Sequence, residues 1–292
     1  MTQSSSLSVK ACAKINLGLE ITGKRDDGFH ELITIFQTVD LADELTVSLT
    51  DAGLQLSVSG DFPVPSDGSN LCLQAAEAYL QAAESEAGVS LHLLKRIPVG
   101  AGLGGGSSDA AAVLRALHRL IGAEVDLHAL AAKLGSDVPF FLHSGTALGE
   151  GRGERLTPCP TLTTGHIVLA KPQLSISTRE AYSLLEPADF SDGSRTRQLF
   201  DYGCSGEQLL DRSYLITNGF MYRLEKRWPE LLRLREAMMD MEARLAMLSG
   251  SGSCVFAVFP TPCSAGRCGD MLATKGYWHH VGNMVHCNPD DK

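Results

Sequence analysis

Apolar and polar positions alternate in short runs through the first sixty residues. Residues 7–13, 15–22, 32–39, 44–49 and 54–59 are alternating or β-branched, and polar turns such as Lys24-Arg-Asp-Asp-Gly28 divide them, so five strands are predicted there. The period then changes. Residues 70–87 follow a helical repeat and residues 89–95 a strand. Ala110, Val113, Leu114, Leu117 and Ile121 mark a second helix that stops at Gly122, and Asp126 caps a third over 126–134. Further on, strands are predicted at 166–170, 254–259 and 277–285, and helices at 178–185, 231–248 and 263–275. The Met and Leu stripe of 231–248 reads as core, not as a cofactor box. The Ser249–Ser253 run reads as a helix-to-strand turn, and residues 189–206 are polar and turn-rich, a surface loop. Residues 145–164, rich in Gly, Thr and Pro, form the candidate boundary. The predicted class is α+β in two halves, 1–157 and 158–292.

Between the strand at 89–95 and the helix that follows lies Pro98-Val-Gly-Ala-Gly-Leu-Gly-Gly-Gly-Ser-Ser-Asp109. Gly100, Gly102, Gly104, Gly105 and Gly106 leave almost no Cβ atoms to hold a ligand away from the backbone. A glycine run feeding a helix N-terminus aims N–H groups and the positive end of the helix dipole at one place, which suits phosphate. The segment therefore points to a nucleotide or phosphorylated ligand. The ATPase P-loop is excluded, because no lysine follows these glycines. Gly100, Gly102 and Gly105 do meet the dinucleotide spacing, but Pro98 interrupts the strand-to-loop step. The segment after the helix is another helix, not the strand that would carry a ribose-binding acid. A flexible linker fits poorly between a strand and an amphipathic helix.

Composition narrows the partners. A chain of 292 residues with a net charge of −9 argues against nucleic acid or an anionic membrane surface, although a local basic pocket can still hold phosphate. The polar residues 1–8 do not read as a signal peptide, and no apolar run approaches a membrane span. The eight cysteines (Cys12, Cys72, Cys159, Cys204, Cys254, Cys263, Cys268 and Cys287) are dispersed without C-x-x-C pairs. They read as buried free thiols in a reducing cytoplasm. His279 and His280 are adjacent, so on a strand they face opposite ways.

Phosphoryl transfer also needs a group to handle the acceptor hydroxyl. Lys14 and Asn16, two apart on a predicted strand, leave the same face, and Asp137 sits in the Gly135-Ser-Asp-Val-Pro139 turn where backbone can aim it. Pattern alone makes a strand lysine a surface residue and this aspartate a turn former.

The order of these segments raises their standing. Ala13-Lys-Ile-Asn-Leu17, Thr22-Gly-Lys-Arg-Asp-Asp-Gly-Phe-His-Glu31, the glycine loop, Leu134-Gly-Ser-Asp-Val-Pro139 and Gly250-Ser-Gly-Ser253 together resemble the GHMP kinases. Among these the chain is similar to the members acting on a cytidine-diphosphate-linked methylerythritol, for which the Gly-aromatic-His run is specific. The resemblance implies a two-domain fold, with an N-terminal half like domain 2 of ribosomal protein S5 and a C-terminal ferredoxin-like sheet. It implies ATP as donor, Mg²⁺ carried with ATP and no dedicated metal cage, and a small-molecule acceptor phosphorylated on its 2-hydroxyl. By motif position Asp137 is the base and Lys14 its partner, and Asn16 orients the hydroxyl. Phe29, where the family usually has Tyr, and Tyr182 stack on cytosine, and His30 bonds its edge. Pro98, Val99, Gly100, Ala101, Gly102, Leu103, Gly104, Gly105, Gly106, Ser107 and Ser108 wrap ATP, the two serine hydroxyls serving phosphate or Mg²⁺. Asn70 and Lys95 match positions near the adenosine. The rivals are a homoserine- or mevalonate-type kinase of the same fold, a non-catalytic sensor built on it and, more remotely, a nicotinamide oxidoreductase.

Overall fold

The computed structural model describes residues 5–159, 165–205 and 209–285, so Cys287 lies outside the described residues. The first sheet contains β1 (Ser6–Lys24), β2 (His30–Thr50), β3 (Leu54–Gly60), β4 (Gly88–Lys95), β5 (Thr146–Gly151) and β6 (Arg155–Cys159). Its order is β3-β4-β2-β5-β6, with β1 paired along β2. Only the β3–β4 pair is parallel. The helices α1 (Leu71–Ala82), α2 (Gly105–Ile121), α3 (Leu127–Leu134) and α4 (Val138–His143) pack with it. Their apolar faces share a core with Val9, Phe36, Leu45, Val47 and Leu91.

Alternation predicts four strands between residues 7 and 49, yet β1 and β2 run unbroken through them. The residues that interrupt the pattern are not turn formers. Lys14, Asn16, Glu20 and Asp43 are each under 5% exposed, buried inside the strands. Register shifts between Cys12 and Lys14 and between Asn16 and Gly18 absorb this irregularity and re-aim the side chains.

The second sheet holds β7 (His166–Lys171), β8 (Leu245–Leu248), β9 (Val255–Phe259) and β10 (Trp278–Asn283) in the antiparallel order β10-β7-β9-β8, the ferredoxin-like arrangement. With it go α5 (Thr178–Ser183), α6 (Ser194–Cys204), α7 (Met221–Arg227), α8 (Pro229–Met239) and α9 (Pro262–Thr274). The fold is α+β, as the pattern predicts. Among the described residues no helix is long and apolar enough to cross a membrane.

Three expectations need correction. The helix expected over 231–248 stops at Met239; a turn follows, and Leu245–Leu248 is a strand with all four residues buried. A short continuous apolar run does not declare its period. Residues 249–253 therefore join two strands. The expected surface loop at 189–206 contains α6, whose Thr196 is buried and donates its N–H to Glu20 (2.7 Å). Finally, a cut between Thr157 and Pro158 falls inside β6, where Pro158 and Cys159 pair with Ala147 and Thr146.

One apolar cluster crosses from sheet to sheet: Ala13, Ile15 and Leu17 of β1 pack with Ile167 and Leu169 of β7 and Phe256 of β9. A cleft opens beside this seam, lined in part by Ala101 and Leu103 of the same cluster.

Candidate active site

A cleft of about 990 Å³ gathers nearly every predicted site residue: Lys14, Asn16, Phe29, His30, Asn70, Lys95, Asp137, Tyr182 and the loop Pro98–Ser107. Ser108 does not line it.

The glycine loop is held by protein on its far side. Ala101 accepts the N–H of Cys254 (3.1 Å), Leu103 accepts that of Lys14 (3.0 Å), and Gly102 accepts the Ser249 hydroxyl (3.0 Å). A Cβ on Gly102 would lie 2.1 Å from the Ser249 carbonyl oxygen, and one on Gly104 would lie 2.7 Å from the Phe141 ring. Both glycines have positive φ, +72° and +70°. These two are therefore glycine because of their protein neighbours as much as any ligand. Gly106 differs, since a Cβ there would meet only Leu71, at 3.7 Å. Gly104 caps α2 without a side-chain hydrogen bond, so the N-terminus of this 17-residue helix faces the cleft through backbone alone.

Against the loop, Lys14 is 4% exposed. Its ammonium donates to Asn16 Oδ1 (2.8 Å) and to the Gly102 carbonyl (3.0 Å), and stands 3.6 Å from Asp137 Oδ2. Burial pulls the Lys14 pKa below the usual lysine range, and Asp137 acts against that shift. Asn16 passes the chain on: its Nδ2 donates to Thr34, whose hydroxyl donates to the Gly18 carbonyl, both at 2.7 Å. Asp137 immediately precedes α4, one-third exposed, with its carboxylate free of the helix cap. The sequence places it in a turn; the structure shows that turn running straight into a short buried helix, which steadies it.

The aromatic end is arranged differently from a simple sandwich. His30 stacks on Tyr182 with centroids 4.6 Å apart, and Tyr182 meets Phe220 edge-on at 4.8 Å. Phe29 is 52% exposed, with the Arg152 guanidinium 4.9 Å from its ring centroid. Burial first, then Lys24, lowers the His30 pKa, which favours the neutral ring with one donor and one acceptor. Burial, with Asp137 adding to it, raises the Tyr182 hydroxyl above its ordinary range.

Two expectations on the ATP side change. The Ser108 hydroxyl is buried and donates to the Cys12 carbonyl (2.7 Å), so it is not offered to phosphate. A serine at the fourth helical position turns back toward the sheet, whereas Ser107 opens on the cleft. The Lys95 ammonium is engaged beneath the loop by Asp43 and Asp109. Asn70 lines the cleft while capping α1: it accepts the Cys72 N–H (2.9 Å) and donates to the Pro65 carbonyl (2.6 Å).

Sequence reasoning missed three contributors. Arg152 reaches the cleft from a turn in which Gly151 and Gly153 have positive φ, and a lone arginine between glycines carries no pattern. Arg179, from the first turn of α5, lines it too. Asn218, 4% exposed, donates to the Leu248 and Gly250 carbonyls (both 2.9 Å) and so holds the 249–252 turn against Lys14. An Asn-Gly pair amid apolar neighbours is the signal that marks it.

Comparison with known proteins places the chain in a family. The family model for the GHMP kinases N terminal domain matches residues 70–145, and that for the GHMP kinases C terminal matches 208–277. A 4-diphosphocytidyl-2-C-methyl-D-erythritol kinase of Chlorobium luteolum is 43% identical over 266 residues, 90% of this chain and 92% of that one. One from Thermus thermophilus is 42% identical, covering 91% and 92%. A crystal structure of 4-(cytidine 5'-diphospho)-2C-methyl-D-erythritol kinase superposes with a TM-score of 0.83 at 39% identity, covering 95% of this chain and 99% of the other. Homoserine kinase from Cytophaga hutchinsonii shares the fold, with a TM-score of 0.78 at 19% identity over 99% and 97% of the two chains.

Proposed function

Because this chain belongs to the 4-diphosphocytidyl-2-C-methyl-D-erythritol kinases of the GHMP kinase family, we propose that its cleft transfers the γ-phosphoryl group of ATP to the 2-hydroxyl of 4-diphosphocytidyl-2-C-methyl-D-erythritol. It is an ATP-dependent small-molecule kinase of isoprenoid precursor biosynthesis. The observation that carries the reading is the meeting of the Lys14–Asp137 pair and the α2 N-terminus in one cleft.

In this reading the loop backbone and the first turn of α2 hold the nucleotide phosphates. Asp137 accepts the hydroxyl proton, and Lys14, fixed by Asn16 and Gly102, balances the charge that develops. Mg²⁺ belongs to the same proposal. A hydroxyl and phosphate oxygens are hard ligands that suit it, and Ser107 is the residue that would hold it. When bound, it neutralises phosphate charge. Phe29 and Tyr182 supply ring faces for cytosine and His30 its edge contact. The His30 ring stacks on Tyr182, so the two rings stand together at this end of the cleft. Cytoplasmic residence, argued from the dispersed and mostly buried thiols, is part of the proposal.

The direct test is ADP release with the cytidine diphosphate acceptor set against homoserine and mevalonate. Turnover with either of the latter and none with the first would sink the assignment. Phe29→Ala is expected to raise the acceptor KM by roughly 5- to 150-fold, the loss of one base stack worth about 1–3 kcal/mol. Phe29→Tyr should retain affinity. An unchanged KM in the alanine variant would place cytosine elsewhere.

A further inference from the structure

Directly under the glycine loop lies a buried charge cluster that the transfer step leaves unused. Lys95 ends β4, Asp43 comes from β2 and Asp109 from the second turn of α2; they are 3%, 0% and 3% exposed. The Lys95 ammonium donates to an Asp43 oxygen and to Asp109 Oδ2, the latter at 2.6 Å. The other Asp43 oxygen accepts the N–H groups of Arg96 (2.6 Å) and Ile97 (2.8 Å). Asp109 Oδ1 is buried without a hydrogen-bond partner.

This wiring ties the two ends of the loop together. Asp43 grips the residues by which the chain enters it, Asp109 belongs to the helix by which the chain leaves, and one ammonium joins both carboxylates. The cluster also touches the loop itself, since a Cβ on Gly105 would lie 3.0 Å from Lys95 Nζ and 3.0 Å from Ile97 Cγ2. Buried ion clusters add little net stability, because desolvation offsets most of their attraction, yet opening one leaves an uncompensated charge. Such a cluster allows one geometry and resists its neighbours.

We propose that Asp43, Lys95 and Asp109 form a clasp that positions the glycine loop for the nucleotide phosphates, Asp109 being the arm that fixes the helix N-terminus relative to the loop entrance. All three are positioning residues. Lys95 acts on ATP through the loop, in place of the direct adenosine contact that family resemblance implies. Asp109 carries two charged partners and a thiol around it: Lys95 from β4, Asp43 from β2 and Cys72 from α1. Burial is the main cause raising its carboxyl pKa, to about 8, against the pull of Lys95; an amide keeps the carboxyl's size and an acceptor oxygen for that ammonium. An asparagine is therefore the conservative replacement.

The inference rests on the reading of the loop as the nucleotide site, and its test separates the two. ADP and CDP binding are measured by calorimetry on the full chain for wild type, Asp109→Asn and Asp109→Ala, with thermal unfolding of each. Asp109→Ala is expected to weaken ADP about tenfold, with Asp109→Asn recovering most of it and CDP affinity within about twofold throughout. In turnover the KM for ATP rises and that for the acceptor stays. ADP affinity unchanged in the alanine variant, or ADP and CDP weakening together in step with the unfolding temperature, would overturn the clasp and leave a structural ion cluster. Wild-type protein that binds CDP but not ADP would instead fail the nucleotide-loop reading itself.

Discussion

Asp137→Asn is expected to lower kcat by about 10²- to 10⁴-fold, equivalent to roughly 3–5 kcal/mol of barrier, with both ligands bound nearly as before. Asparagine keeps the size and much of the hydrogen-bonding shape of the residue preceding α4, but it cannot take a proton. Asp137 is one-third exposed and its carboxylate caps nothing, so the substitution is expected to leave the fold intact. Lys14→Met should also lower kcat. The double variant should lose less than the two losses added, because the groups stand 3.6 Å apart and serve one event. The pH profile supplies a second readout. Lys14 acts as a cation, and burial pulls its pKa down while Asp137 holds it up. Activity therefore falls on the alkaline side below the pH at which an exposed lysine titrates. Removing the Asp137 charge moves that limb to lower pH still. A fall in kcat of only a few-fold would show that Asp137 orients the hydroxyl without serving as its base, as a loose transition state permits.

Gly102→Ala is expected to remove activity and to destabilise the protein. The backbone sits at φ +72°, where an L side chain is strained by about 1–2 kcal/mol. The new methyl would also fall 2.1 Å from the Ser249 carbonyl oxygen, and relieving that contact costs about another 1–3 kcal/mol. Relief means parting the loop from the 249–252 turn. That turn also places Gly250, where a Cβ would lie 3.3 Å from Lys14 Nζ, so the damage reaches the catalytic pair. Thermal unfolding should drop by roughly 3–8 °C, and calorimetry should show ADP binding lost. Gly106→Ala is the control. Only Leu71, at 3.7 Å, stands near its added methyl, so stability should hold and any loss should appear in ADP affinity. Equal stability of the two variants would contradict the packing described for Gly102.

The glycine run by itself marked a phosphate site, and the resemblance to the GHMP kinases added Lys14, Asn16, Phe29, His30, Asp137 and Tyr182 to it; all of these and Pro98–Ser107 line one cleft. Local chemistry accounts for the backbone shape of these segments, and the resemblance for their roles. Glycines at a helix start, a lysine and asparagine two apart on a strand, and an aspartate bracketed by Gly and Pro each have a conformation that neighbours in the chain decide. The α+β class was legible for the same reason, since strand and helix periods depend on adjacent residues.

What the chain alone could not reveal depends on contacts between distant segments. The polar residues that seem to break β1 and β2 are buried because Lys14 finds Asn16 and Asp137, Glu20 finds Thr196, and Asp43 finds Lys95. Until those partners are in place, a buried charge is indistinguishable from a turn signal. The same holds for Ser108, diverted to the Cys12 carbonyl, and for Leu245–Leu248, whose strand exists because β9 lies beside it. Arg152 left no trace in the pattern, and the Asn218-Gly219 pair signals there only a turn; their places at the site come from Phe29 and from the Gly250 turn. Periodicity and turn chemistry are local and were written in the sequence; the pairing of buried polar groups is non-local, and folding alone decided it.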